Sequence, residues 1–315
     1  MVQAINLALK EEMQRDKNVV ILGEDVGKDG GVFRVTEGLL DVFGPGRVMD
    51  TPLAESGIAG TAIGMAAYGL RPVAEIQFMG FIYPAVDQIF NHAARIRSRS
   101  RGRYSIPLVI RTPYGVGIKA PEHHSESSEA HFCHMPGIKV VMPSSPFNAK
   151  GLLISSIRDP DPVVFLESTR LYRMIKEDVP EGEYTIPLGK ARIVQEGGDV
   201  TVISWGSMLH RVVQAAGNLN AEVIDLMTLN PFDEETIYSS VKKTGRVVVV
   251  HEAPKTGGFG AEIAASIAEE AMLYLKAPIM RVTACDAVLP LPKLEDYYMP
   301  TVERITRAIE EVMKY

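Results

Sequence analysis

Only two cysteines, Cys133 and Cys285, occur in the 315 residues, so no disulfide framework holds the fold. That scarcity suits a reducing, cytoplasmic setting. No basic tail or stripe is present and the formal net charge is −6, which disfavours nucleic-acid binding through a basic surface. No apolar run is long enough to span a bilayer. Residues Met1 to Asn6 lack the basic and apolar regions of a signal peptide. There is no internal repeat and no low-complexity segment. Chemical signatures are missing as well. Without a His-Glu-x-x-His pattern, metal catalysis of that type is disfavoured, and without a Gly-x-Ser-x-Gly elbow so is Ser–His–Asp hydrolysis. Gly257-Gly258-Phe259-Gly260 opens a helical stretch but is not a dinucleotide fingerprint, because a glycine is missing.

What is present is a regular alternation. Val2–Arg15 carries Ile5, Ala8, Leu9 and Met13 at helical spacing, and Val19-Val20-Ile21-Leu22 is a short apolar run that predicts a strand ending in Gly23-Glu24-Asp25. Further strands are predicted at 72–78, 107–111, 138–142 and 162–166, with helices at about 83–97 and 148–157 between them. Residues 171–188, polar and interrupted by Pro180, Gly182 and Pro187, read as a linker. A second alternating region has strands at 200–205, 222–226, 246–251 and 279–282, and helices near 208–218, 234–243, 260–274 and 301–314. The expected fold is α/β: two domains, 1–180 and 190–315, each a mostly parallel sheet flanked by helices. Ligands in such folds sit at the carboxyl ends of the strands. That places Glu24, the Phe78–Phe81 segment and the Thr112–His124 loop on the functional edge.

The stretch Asp50 to Gly64 organises that edge. Thr51 suits an N-cap, Pro52 the first helical position and Glu55 the first turn. Gly57, Gly60 and Gly64 then share one helix face. A glycine inside a helix costs about 1 kcal/mol relative to alanine, so three on one face ask for close approach of another backbone or a ligand. Two readings stand: a glycine-faced packing helix with a compensating acid at its start, or a Glu55 carboxyl at a subunit contact, aimed at a cofactor. His123 and His124 lie in a loop before a helix that Ser125 is placed to cap, with His131 and His134 further along it. A loop histidine on the functional edge suits acid–base or hydrogen-bonding work; otherwise His123 is solvated and His131 packs. Phe78, Phe81 and Tyr83 read as core aromatics, or as a stacking surface for a flat heterocycle.

Taken together these residues resemble the β chains of the thiamine-diphosphate-dependent 2-oxoacid dehydrogenases, in the transketolase-like superfamily. The resemblance covers nearly the whole chain. It rests on Gly23-Glu24-Asp25-Val26-Gly27, Gly31-Val32-Phe33, Asp50-Thr51-Pro52 through Gly64, Arg71-Pro72, Asp87-Gln88, Pro136-Gly137-Ile138-Lys139-Val140-Val141 and Ala149-Lys150-Gly151-Leu152. It implies that Glu55 bonds the pyrimidine N1′ of thiamine diphosphate and promotes the imino tautomer that removes the thiazolium C2 proton. It implies that Phe81 stacks on the pyrimidine, that Leu53 and Gln77 lie around it, and that His124 lines the channel where the acyl group passes to lipoamide. Main-chain atoms near Leu108, Ser156, Ile157, Asp159 and Asp161 match a structural potassium site of the family.

The superfamily holds the diphosphate through Mg²⁺ on a Gly-Asp-Gly … Asn-Asn motif. Here Gly198-Asp199 is followed by Val200 and the motif is absent. The resemblance therefore implies a separate α chain supplying Mg²⁺ and the diphosphate half, two α and two β chains, and a C-terminal domain that pairs β chains and docks a lipoyl acyltransferase core. The channel run departs from the branched-chain pattern, with Glu126 in place of Gln and His131 in place of Phe. The segments Pro136–Leu153 and Gln77–Ile89 look closer to branched-chain members, so branched 2-oxoacids are the expected substrates and pyruvate the alternative. A sugar-phosphate synthase half and a non-catalytic assembly chain are the readings of other classes.

Overall fold

The computed structural model describes residues 1–315, the side chain of Pro292 apart. Its strands are β1 (Val19–Gly23), β2 (Val48–Asp50), β3 (Arg71–Glu75), β4 (Val109–Tyr114), β5 (Lys139–Val141), β6 (Val163–Ser168), β7 (Arg192–Gln195), β8 (Val200–Ser204), β9 (Ala221–Asp225), β10 (Thr228–Asn230), β11 (Val247–Pro254) and β12 (Met280–Ala284). The first sheet runs β10-β5-β6-β4-β3-β1-β2 and the second β12-β11-β8-β9-β7. All pairings are parallel except β10 on β5 and β7 on β9. Strands β1, β4, β6 and β8 are buried at every position, as expected for parallel strands covered on both faces.

Helices cover the sheets where their apolar spacing demands it. Val2–Arg15 buries Ile5, Ala8, Leu9 and Met13 and packs on Pro146–Arg158. Arg158 Nη2 reaches the buried Glu12 carboxylate at 2.5 Å. The second helix starts cleanly: the Ser145 hydroxyl accepts from Asn148 N at 3.2 Å, and Pro146 needs no partner for the N–H it lacks. Asp233 and Thr301 cap Glu234–Thr244 and Val302–Val312 in the same way. The polar stretch after Tyr172 is pinned rather than loose, because the buried Lys150 ammonium donates to Pro180 O at 2.6 Å and Gly182 O at 2.9 Å.

The predicted bounds shift in places, each for a tertiary reason. The glycine-faced helix begins at Glu55, after an Ala54 N-cap, and not at Pro52. Thr51 N is taken by Gly23 O at 2.9 Å, which continues β2 alongside β1. Asp50 accepts from Gly27 N at 2.6 Å and Lys28 N at 3.1 Å. The chain therefore stays extended through Thr51. Ser125 caps nothing; the short helix is Glu129–Cys133, preceded by Ser128. Glu126 O is held by Gly115 N at 2.9 Å, which keeps the preceding loop against the end of β4. The predicted helix over 83–97 is instead a 3₁₀ turn at Met79–Ala85, a π turn at Gln88–Ala93 and a short α-helix at Ile96–Arg99. His131 is exposed and does not pack into the core. Gly258 and Gly260 serve packing: a Cβ at either would lie 2.7 Å from the His251 ring.

Candidate active site at the carboxyl edge of the first sheet

Strands β1 and β3 end side by side and deliver Glu24-Asp25 and Gln77-Phe78 to one edge. Gln77 Nε2 donates to Asp25 Oδ2 at 2.9 Å. Glu24 is 8% exposed. Burial first, then the negative charges of Glu55 and Asp25, raise its pKa above the ordinary carboxyl value. Glu55 thus stands within electrostatic reach of Glu24, at the first turn of its helix, and is half-buried. That helix is tied to the 3₁₀ turn by Ser56 Oγ donating to Pro84 O at 2.6 Å. Two of the three glycines look outward: a Cβ at Gly64 meets nothing within 4 Å and one at Gly57 only Ala54 Cβ at 3.6 Å, whereas one at Gly60 would lie 3.3 Å from Gln88 Oε1. Leu53 projects away with 79% of its surface exposed. The exposed Leu53 and the open space at Gly57 and Gly64 leave room for close approach of a further molecule.

The next side chains form an aromatic cluster. The rings of Phe78 and Phe81 lie 5.4 Å apart, and the His124 imidazole meets them edge-on at 4.4 and 5.1 Å. His123 stands 4.2 Å from His124 but is exposed. Gly80 makes this contact feasible, since a Cβ there would sit 2.1 Å from His123 O. Burial, and then the neighbouring His123, lower the His124 pKa, so the imidazole is neutral at pH 7. Its Nδ1 is buried with no partner among the described residues.

Beneath the edge lies an ion cluster that the sequence reading missed. Arg111 donates through Nη1 to Glu75 Oε2 at 2.7 Å, and through Nε and Nη2 to Glu167 at 2.6 and 2.8 Å. Tyr172 adds a bond to Glu167 Oε2 at 2.6 Å. Burial raises the Glu75 pKa, while Arg111 draws it back. The cluster joins the carboxyl ends of β3, β4 and β6 and so holds the loops that carry Gln77 and His124. Its trace in the sequence was Glu75, Arg111 and Glu167 within or beside short apolar runs.

A second buried group lies between the two sheets. Glu252 accepts from Val116 N at 2.7 Å and Ser207 Oγ at 2.5 Å. Both Glu129 oxygens are buried with no partner among the described residues, and burial pushes that carboxyl up to about 7. A cleft of about 270 Å³ adjoins them, lined by Tyr83, Glu126, Glu252 and Tyr298 among others.

The residues expected to hold potassium lie elsewhere, at the amino ends of β4 and β6. Their carbonyls already receive donors: Leu108 O from Val163 N at 2.9 Å, Ser156 O from Asp159 N at 3.3 Å, and Ile157 O from Arg71 Nη1 at 2.8 Å. Asp161 pairs with Arg97 at 2.7 Å, and Asp159 with Lys139 at 2.6 Å. No group of three or more His, Cys, Asp or Glu able to hold a metal lies among the described residues.

A two-sheet parallel fold with this edge matches two domain families: residues 1–175 the transketolase pyrimidine-binding domain, and residues 189–305 the transketolase C-terminal domain. A solved chain described as a split-gene transketolase, an inactive β4 tetramer, superposes with a TM-score of 0.82 at 22% identity, covering 99% of this chain and 97% of that one. This likeness speaks for the fold. Among curated proteins, the pyruvate dehydrogenase E1 component subunit β of Acholeplasma laidlawii is 50% identical over 100% of this chain and 98% of its own length. Those of Bacillus subtilis (strain 168) and Staphylococcus epidermidis are 50% and 51% identical with the same coverage. The chain belongs to the transketolase-like family and, within it, to the β subunits of the thiamine-dependent 2-oxoacid dehydrogenases.

Proposed function

We propose that this chain is the β subunit of the decarboxylating component of a pyruvate dehydrogenase, acting with an α chain as two α and two β chains. The observation that carries the substrate is the 50–51% identity to pyruvate dehydrogenase β subunits across essentially the full chain. The branched-chain expectation rested on Pro136–Leu153 and Gln77–Ile89 and finds no support among these relatives. Much of Pro136–Leu153 is buried strand and helix rather than pocket lining, so it reports ancestry rather than substrate.

The residues on the edge fit half of thiamine diphosphate. Phe81 supplies an aromatic face, Glu55 a carboxyl at a helix start, and Leu53 and Gln77 flanking contacts. When bound, that cofactor supplies the carbanion that adds to a 2-oxo group and the electron sink for loss of CO₂. Glu55 holds and returns a proton at its carboxyl, with Glu24 behind it as an acid that keeps its proton to a higher pH than an ordinary carboxyl. His124, neutral and edge-on to Phe81, offers a nitrogen for proton exchange in acyl transfer to a lipoyl group. The other half of the cofactor does not suit this edge: Glu24, Asp25 and Glu55 converge there and repel a diphosphate. An α chain holding Mg²⁺ answers that, and potassium through carbonyls at Ser156–Asp161 is a separate, structural element of the proposal. The working division of the chain is 1–180 for the cofactor half and 190–315 for pairing and for docking an acyltransferase core.

The test is reconstitution with the α chain and comparison of kcat/KM for pyruvate and 4-methyl-2-oxopentanoate. An apolar pocket distinguishes about 10- to 200-fold per methylene. A ratio favouring pyruvate at least tenfold is expected; one favouring the branched acid by that margin overturns the substrate, and absence of any 2-oxoacid turnover overturns the function.

A further inference from the structure

Two segments carry the aromatic and imidazole groups of the candidate site: the 3₁₀ turn Met79–Ala85 after β3, and the long loop after β4 that ends at Ser128. They meet at three places. Gly80 lies flat against the His123 carbonyl, and the Phe78 and Phe81 rings contact His124, as described above. The third contact is polar. The Tyr83 hydroxyl donates to Glu126 Oε2 and lies 3.0 Å from Ser128 Oγ. It stands at the rim of the cleft between the sheets, with 45% of Tyr83 exposed.

The ring contacts and the glycine contact hold the loop to the turn by packing, and Gly115 N donating to Glu126 O holds it to the end of β4. The loop also holds a non-glycine residue in left-handed backbone, Lys119 at φ +55°. Conformations of that kind persist only when surrounding contacts over-determine them. A phenol-to-carboxylate bond is directional and of the stronger, charge-assisted kind. It ties the turn to the loop at a defined point.

We propose that Tyr83 and Glu126 are a positioning pair for acyl transfer: their hydrogen bond sets where His124 stands relative to Phe81. This rests on the reading of His124 given under the proposed function. Neither residue touches a reacting atom; both act through the loop. Burial, then the bond to Glu126, push the Tyr83 hydroxyl up to about 12, so it keeps its donor proton throughout the working range. The sequence had marked Glu126 as a departure from the branched-chain pattern, and the bond gives that departure a role.

The test uses the reconstituted α–β assembly with Tyr83→Phe, Glu126→Ala, Glu126→Gln and the Tyr83→Phe/Glu126→Ala double variant. Two rates are measured: decarboxylation with an artificial electron acceptor, and reductive acylation of a lipoyl domain, with kcat and KM separated. Tyr83→Phe and Glu126→Ala are expected to lower kcat for reductive acylation about tenfold, with decarboxylation and the KM for the lipoyl domain within about twofold. Glu126→Gln keeps an acceptor for the phenol and should restore kcat to within about threefold of the parent. The double variant should be no worse than either single one, since both remove one bond. Equal losses in the two half-reactions, additive losses in the double variant, or no loss in reductive acylation would each overturn the pair. If Tyr83→Phe does not assemble, Glu126→Ala against Glu126→Gln carries the same contrast. An assembly without 2-oxoacid turnover in the parent protein would instead refute the functional reading.

Discussion

His251 gives the most direct test of how burial acts in this fold. It sits on β11, stacked on Trp205 with ring centroids 5.2 Å apart and an interplanar angle of 11°. Both ring nitrogens are buried with no partner among the described residues. Burial, with the positive charge of Arg281 second, pushes its pKa down to about 4. The unfolded chain takes up the proton near pH 6.5. The neutral ring therefore contributes its full stability above that pH, and the contribution is lost as pH falls toward 4. Between pH 7 and pH 5 the loss is about 2 kcal/mol, and it approaches about 3 kcal/mol below pH 4. Glu129 works in the opposite sense: its carboxyl, pushed up to about 7, favours the folded state as pH falls through that value. Other buried carboxyls shift as well, Asp225 up to about 6 among them, so comparison with a variant is what isolates the His251 effect. His251→Phe keeps a ring beside Trp205 but cannot titrate. Trp205 is the sole tryptophan, so its fluorescence reports urea unfolding from the adjoining ring. At fixed protein concentration, the stability of His251→Phe minus that of the parent should rise by about 2 kcal/mol from pH 7 to pH 5. Parallel profiles across that range would show that His251 is protonated or solvated in the folded protein, and would refute the assignment.

Three further outcomes follow from the site. In the reconstituted assembly Glu55→Gln should leave the fold intact and slow exchange of the cofactor's C2 proton by about 10²–10⁴-fold, the scale of a lost proton-transfer group; near-parental exchange would remove Glu55 from that role. His124→Ala should reduce acyl transfer to a lipoyl domain more than decarboxylation read with an artificial acceptor, and equal losses would assign His124 to the earlier step. If the Ser156–Asp161 carbonyls hold potassium, the melting temperature should rise with potassium at constant ionic strength, because a ligand bound only by the folded form stabilises it. A curve unchanged on replacing potassium with tetramethylammonium would leave Arg71, Arg97 and Lys139 as the sole cations there.

The long parallel strands were legible because burial on both faces leaves short β-branched apolar runs such as Val19-Val20-Ile21-Leu22. The short strands Val48–Asp50, Arg192–Gln195 and Thr228–Asn230 carry no such run and were invisible. Their pairing is decided by what lies alongside, not by their own pattern. The start of the helix at Glu55 was misplaced by three residues for a like reason. Thr51 and Pro52 have the right chemistry for a helix start, but Thr51 N is claimed by Gly23 O. At the candidate site, Glu55, Gln77, Phe81 and His124 were proposed from ordered motifs, and the fold brings them to one edge. Arg111–Glu75–Glu167 and Tyr83–Glu126 were not, since the partners are 36 to 56 positions apart and no local spacing announces them.

The strand β10 comes from the second half of the chain yet completes the first sheet. Thr228 and Asn230 pair with β5, Met142 N donates to Met227 O at 2.8 Å, and the Asn230 amide donates to Ile138 O at 2.7 Å. Until Asn230 has been synthesised, β5 presents a bare row of N–H and C=O groups, the kind of edge that captures other strands. A first half without β10 therefore carries an open edge on β5. A fragment cut after the linker would keep that exposure permanently, so the two halves are coupled in biogenesis whatever they do separately in catalysis.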